Sequence, residues 1–162
     1  MHYLVTGGAG FVGSHVVLAL RDGGHSVVVF DNLSTGHRAA LPPDVPLVVG
    51  DLSDHALLNA VLESERFDAV LHFAALSLVG DSMRVPFRYL RDNYLNSLQL
   101  VELCIQHSVR RFVFSSTAAL FGTPEQQPIM ENATVNPGSP YGESKFMIER
   151  VLHWAERIHG MH

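Results

Sequence analysis

Cysteine is nearly missing from this chain. Cys104 stands alone among 162 residues, which excludes an internal disulfide, and it falls on an apolar helix face, where a buried free thiol fits better than a nucleophile or ligand. That reading suits a reducing, cytoplasmic setting. Basic clusters are equally scarce: no Lys/Arg run exceeds Arg110-Arg111, and the formal charge is −5. Such a surface is not built for a polyanion, so nucleic acid is not an expected partner. No apolar run approaches the roughly 20 residues of a bilayer span, and the chain enters a strand at Tyr3-Leu4-Val5 without a basic leader. Neither a membrane nor a targeting segment is expected. The ten histidines are scattered, and their spacing does not fit a metal site.

What the sequence does contain is an alternation. Hydrophobic residues make up 47% and charged ones 17%, enough apolar surface for one globular domain over residues 1–162. Short β-branched runs at Tyr3 to Thr6, Ser26 to Phe30, Pro46 to Val49, Ala69 to Phe73 and Arg111 to Ser115 read as strands. Between and after them, amphipathic segments at Phe11 to Asp22, His55 to Ser64, Val85 to His107 and Tyr141 to Ile158 read as helices. The third helix is expected to rest on Leu95, Leu98, Val101 and Ile105. The fold class is therefore α/β: a Rossmann-type doubly wound parallel sheet of five strands in the order 3-2-1-4-5, covered by helices. Two longer loops, Ser34 to Asp44 and Gly122 to Pro140, have functional length. In such sheets ligands bind at the carboxyl edge where the strand order reverses, beside the first strand.

The segment Gly7-Gly8-Ala9-Gly10-Phe11-Val12-Gly13 lies between the first strand and the first helix. Glycines there allow a tight turn and a close backbone approach to a pyrophosphate, while the helix amino terminus presents free N–H groups and a positive dipole end. Asp31 ends the second strand at the interval where a carboxylate accepts from ribose hydroxyls, and it would repel a 2′-phosphate. NAD is thus the expected cofactor rather than NADP. Asp51, after the third strand in Gly50-Asp51-Leu52, is placed to receive the adenine amino group.

Tyr141 and Lys145 are four residues apart at the start of a helix, on one face. An unperturbed phenol, with a pKa of about 10, is a poor base at neutral pH, and a neighbouring ammonium favours the phenolate. Phe114-Ser115-Ser116-Thr117-Ala118 closes the fifth strand at the same sheet edge, where the Thr117 hydroxyl can exchange a proton with Tyr141 and bond a sugar oxygen.

Taken together these motifs resemble the extended short-chain dehydrogenase/reductase superfamily, and within it the UDP-hexose 4-epimerases. The resemblance runs nearly end to end: Val5 to His15, Asp31-Asn32-Leu33-Ser34, Gly50-Asp51-Leu52, His72-Phe73-Ala74-Ala75, Val79 to Ser82, Phe112 to Ala118 and Pro140 to Lys145. It implies that Tyr141, Lys145 and Thr117 are catalytic, and that the C4 hydroxyl of a UDP-hexose is oxidised against tightly bound NAD and reduced again on its other face. It also implies a cofactor site formed by Gly7, Gly10, Phe11, Val12, Gly13, Asp31, Asn32, Ser34, Thr35, Asp51, Leu52, Phe73, Ala74, Ala75, Ser77, Asn93, Tyr141 and Lys145. Ala118-Ala119 stand where related 4,6-dehydratases usually carry an Asp-Glu pair, which favours epimerisation over elimination; a related sugar-nucleotide dehydratase or decarboxylase, or a fragment that binds NAD without turnover, is the alternative. Ser77 stands where many epimerases have lysine, and Phe121 where tyrosine is usual. The resemblance further implies that the lobe holding the uridine diphosphate follows residue 162, and that the family's fourth and fifth helices, here including Leu95 to Ile105, form a homodimer.

Overall fold

In this computed structural model the described residues are 1–124 and 126–162. Five parallel strands form one sheet in the order β3-β2-β1-β4-β5, as the alternation predicts. They are β1 (His2–Thr6), β2 (Ser26–Asp31), β3 (Leu47–Val49), β4 (Ala69–His72) and β5 (Phe112–Phe114). The helices are α1 (Phe11–Asp22), α2 (His55–Ser64), the short α3 (Val79–Ser82) and α4 (Pro86–Tyr89), α5 (Asn96–Gln106) and α6 (Pro140–His159). Asp54 caps α2 by accepting from the Leu57 N–H. Ser139 caps α6 from Gly142 N–H, with Pro140 in the first turn and Gly160 closing the other end at positive φ.

Alternation along the strands divides the core in two. Leu4, Val28, Phe30 and Val70 face a cluster completed by Leu58 and Leu62 of α2, Leu100, Val101 and Cys104 of α5, and Ala155 of α6. Val5, Val27, Val29 and Leu71 face the other cluster, with Val17 of α1. Both faces of the sheet's centre are covered, which is why Leu4-Val5, Val27 to Phe30 and Ala69 to Leu71 are apolar on both sides.

The long third helix departs from expectation. It runs on from α4 through a π-helical turn at Leu90–Leu95 into α5, and its buried stripe is Asn93, Ser97, Leu100, Val101 and Cys104. Of the four predicted core residues only Val101 is fully buried; Leu95 is 47% exposed. The reason is that Asn93 and Ser97 enter the interior with hydrogen-bond partners, so an apolar count places the stripe on the wrong phase. Trp154 of α6 is 49% exposed, with the Arg157 guanidinium 5.2 Å from its ring.

The strand register sets the functional edge. Thr6 pairs with Phe30 on one side and with His72 on the other, and His72 pairs with Phe114. β1, β4 and β5 thus end on one rung, β2 runs one residue past it, and the loops leave from the same edge.

Candidate functional site

The turn after β1 is shaped by contacts that only glycine permits. Gly7 has φ +70°, and a Cβ there would strike the Ala74 backbone. A Cβ on Gly13 would strike Gly7 O and stand 2.8 Å from Gly8 Cα. These approaches bring α1 and the loop after β4 flush against the turn. Gly10 is the α1 N-cap and supplies no side-chain cap, so the first-turn amides are left for a ligand. Phe11 and Val12, 83% and 53% exposed, flank that opening.

Asp31 is buried, and both its oxygens are engaged. Oδ2 accepts from Ala9 N–H at 2.9 Å and Oδ1 from Leu33 N–H at 2.8 Å. A carboxylate offers about four acceptor positions, so the same group can tie the glycine turn to β2 and still receive a hydroxyl. Leu33 is held in the left-handed region at φ 57°, a strain for a leucine that the Asp31 bond helps to hold. His37 N–H then bonds Ala9 O, folding the segment with Asn32, Ser34 and Thr35 over the turn. Asn32 Nδ2 donates to Asp51 Oδ2 at 2.7 Å, and Ser53 donates to Asp51 Oδ1 through both its hydroxyl and its amide. The bonds from Ser53, and then from Asn32, hold the Asp51 carboxyl below its ordinary value.

At the far side of the rung, α6 delivers the tyrosine and the lysine. Its entry packs tightly on the 3₁₀ turn Ala118–Phe121, since a Cβ on Gly142 would stand 2.7 Å from Ala119 O. Thr117 caps that turn, its hydroxyl oxygen accepting from Ala119 N–H at 3.1 Å. Tyr141 is 9% exposed and Lys145 2%. The Lys145 ammonium donates to Ser115 O at 2.9 Å, and lies 4.6 Å from the Phe114 ring centroid and 6.0 Å from that of Tyr141. Among the described residues no carboxylate pairs with it. Burial pushes its pKa down from 10.5 to about 8. Lys145 is also the only lysine in the chain.

Most of the predicted residues thus gather along one edge. Phe73 and Ala74 meet the glycine turn, and Ala75 and Ser77 continue into an exposed loop. Leu52 is half-buried against the core cluster that contains Phe30 and Leu58. Asn93 is buried, with its amide already engaged: Oδ1 accepts from Leu76 N–H at 2.8 Å, and Nδ2 donates to Leu76 O at 3.0 Å and to Ser144 Oγ at 3.1 Å. It therefore organises the loop from within. His72 is paired through both ring nitrogens with side chains, Thr6 and Ser97. Nothing in an isolated histidine signalled this; the signal lay in the strand register, which sequence alone does not give.

The comparisons with known proteins follow this geometry. A sequence profile described as the NAD dependent epimerase/dehydratase family matches residues 3–162. A UDP-glucose 4-epimerase of Halalkalibacterium halodurans is 45% identical over 161 residues, covering 99% of this chain and 48% of the relative. A crystal structure of the Brucella ovis UDP-glucose 4-epimerase in complex with NAD superposes with a TM-score of 0.95 at 39% identity, covering 99% of this chain and 49% of that one. The Thermotoga maritima UDP-glucose 4-epimerase, solved with UDP-glucose, superposes equally well at 37% identity, covering 99% of this chain and 53% of that one. The chain spans about half the length of the curated relatives it matches.

Proposed function

We propose that this chain, which belongs to the NAD dependent epimerase/dehydratase family, carries the NAD-binding half of an enzyme that interconverts UDP-hexoses differing at C4, such as UDP-glucose and UDP-galactose. The observation that carries the reading is one sheet edge bearing both the uncapped glycine turn and the buried Tyr141–Lys145 pair. The relatives solved with NAD and with UDP-glucose support it. The residues fit the cofactor: the α1 amides and Gly7, Gly10 and Gly13 would hold a pyrophosphate, Asp31 the adenosine ribose, and Asp51 the adenine amino group. When bound, NAD supplies a hydride acceptor that returns what it receives.

In this reading Tyr141 takes the proton of the sugar's C4 hydroxyl and later gives it back. Lys145 stabilises the phenolate by its charge, which the surrounding rings screen far less than water would. Thr117 bonds the sugar oxygen beside Tyr141. Ala118-Ala119 leave no acid and base for elimination, which favours epimerisation over dehydration. The residues that choose among hexoses belong to the other half of such enzymes. The helix pair α5–α6, with Leu95, Trp154 and Ile158 exposed, is the proposed homodimer face. No helix among the described residues is long and apolar enough to cross a membrane, and the cytoplasm is the proposed setting.

The test is to denature the purified chain, assay the supernatant for released NAD, and incubate the native polypeptide carrying this chain with UDP-galactose. Released or titrated NAD and formation of UDP-glucose are expected. No nucleotide, bound or bindable, would overturn the reading.

A further inference from the structure

We propose that His72 is a positioning residue for the Tyr141–Lys145 pair, holding Asn93 through Ser97 and backing the Phe114 ring beneath the Lys145 ammonium. The proposal rests on the function proposed above.

The sheet register places Thr6, His72 and Phe114 side by side on the terminal rung, with their side chains on the face covered by α5 and α6. His72 is 1% exposed. Its hydrogen bonds admit one proton arrangement. The Ser97 hydroxyl proton goes to Asn93 O at 2.6 Å, so Ser97 Oγ must accept from His72 Nε2–H at 2.8 Å. His72 Nδ1 is then the acceptor, and Thr6 Oγ1–H donates to it at 2.6 Å. The chain of donors runs in one direction, from β1 through β4 into the π-helical turn.

That turn is where the signal divides. Asn93 uses its backbone carbonyl for Ser97 and its side chain to clamp both the amide and the carbonyl of Leu76 and to reach Ser144 Oγ. Ser144 in turn donates to Tyr141 O at 2.7 Å. The His72 ring also stacks on Phe114, with centroids 5.8 Å apart and planes 23° apart, and Phe114 carries the Lys145 ammonium 4.6 Å from its centroid. One side chain therefore bears on the loop after β4, on the first turn of α6 and on the floor under Lys145. Burial, with the Lys145 charge adding to it, takes the His72 pKa down to about 3. The ring stays neutral, as a fixed dipole in this chain requires.

Ser97→Ala cuts the chain without replacing any residue of the expected site, and Ser97→Thr restores the hydroxyl. The 162-residue chain is used for each, with three readouts: NAD affinity by calorimetry, thermal midpoint, and titration of Lys145 by NMR, a single resonance because no other lysine exists. Loss of one positioning hydrogen bond is expected to weaken NAD binding about fivefold. Water admitted beneath Lys145 should raise its titration midpoint by about half a pH unit, toward the ordinary value. Ser97→Thr should recover both. A lower thermal midpoint with NAD affinity and Lys145 titration unchanged overturns the proposal and leaves His72 a packing residue. If the wild-type chain binds no NAD, the proposed function fails, yet the Lys145 midpoint still decides: a shift in Ser97→Ala upholds the positioning role and constancy overturns it. Should Ser97→Ala not fold, the imidazole nitrogens of wild-type His72 decide. An Nε2–H tautomer that does not titrate between about pH 5 and pH 9 supports the proposal, and an Nδ1–H tautomer or titration there overturns it.

Discussion

Replacing Lys145 with methionine should make the protein more stable while removing its chemistry. A lysine pKa lowered from 10.5 to about 8 means that the fold disfavours the ammonium over the neutral amine by roughly 3 kcal/mol. Methionine keeps an unbranched side chain of similar bulk without the charge. It also leaves Ser115 O without its donor and removes the contact with Phe114, which together give back about 1 kcal/mol. Lys145→Met is therefore expected to gain about 2 kcal/mol at pH 7, a rise in thermal midpoint of roughly 4 to 8 °C for a chain of this size. The sign with pH follows from linkage. Between pH 8 and 10.5 the unfolded lysine holds its proton and the folded one does not, so wild-type stability rises with pH across that window. The advantage of Lys145→Met should hold below pH 8 and fade toward pH 10.5, where both states of the wild type are neutral. Urea unfolding of both proteins at several pH values measures it, since every other titrating group is common to the pair. A variant less stable than wild type at pH 7, or a difference that ignores pH across the window, would refute the reasoning.

Gly13→Ala forces a methyl into Gly7 O and should cost about 3 kcal/mol in urea unfolding, with NAD binding lost; unchanged stability would contradict the packing of the turn. Asp31→Asn keeps an acceptor for one of the two amides but removes the charge. Calorimetry should show NAD affinity falling about tenfold and the preference over NADP narrowing, whereas an unaltered preference would remove Asp31 from cofactor choice. Thr117→Val should lower the UDP-galactose turnover of the polypeptide carrying this chain about 100-fold, with Thr117→Ser recovering most of it. Its stability should fall by only about 1 kcal/mol through the lost cap at Ala119.

What could be read from the sequence was whatever obeys local rules. The β-branched runs and the glycine turn gave the strand order, and the spacing of Tyr141 and Lys145 placed them together on α6. The π-helical turn and the buried polar stripe escaped. Hydrophobic periodicity assigns Asn93 and Ser97 to solvent, and only the register of β1, β4 and β5 shows that Thr6, His72 and Phe114 share the rung on which His72 meets Ser97. Asp31 was legible as the carboxylate that ends β2, while its bonds to Ala9 and Leu33 depend on Leu33 adopting positive φ, which no leucine advertises. The placement of Lys145 beside Tyr141 was legible, and its isolation from every described carboxylate was not.

That isolation explains the order of the surroundings. An ammonium buried without an anion is tolerated only where several neutral groups share its field, and here a carbonyl and two aromatic faces do so. A carboxylate partner would make Lys145 cheaper to bury, yet it would also neutralise the field that a phenolate needs. The same constraint reaches His72. A protonated imidazole behind the Phe114 ring would repel the ammonium and reverse its bond from Thr6, so the ring must be kept neutral by burial and by two hydroxyl partners. Among the described residues, the polar interior beside Tyr141 is thus composed of groups that carry dipoles and no net charge, with Lys145 the one fixed charge that the proposed chemistry would use.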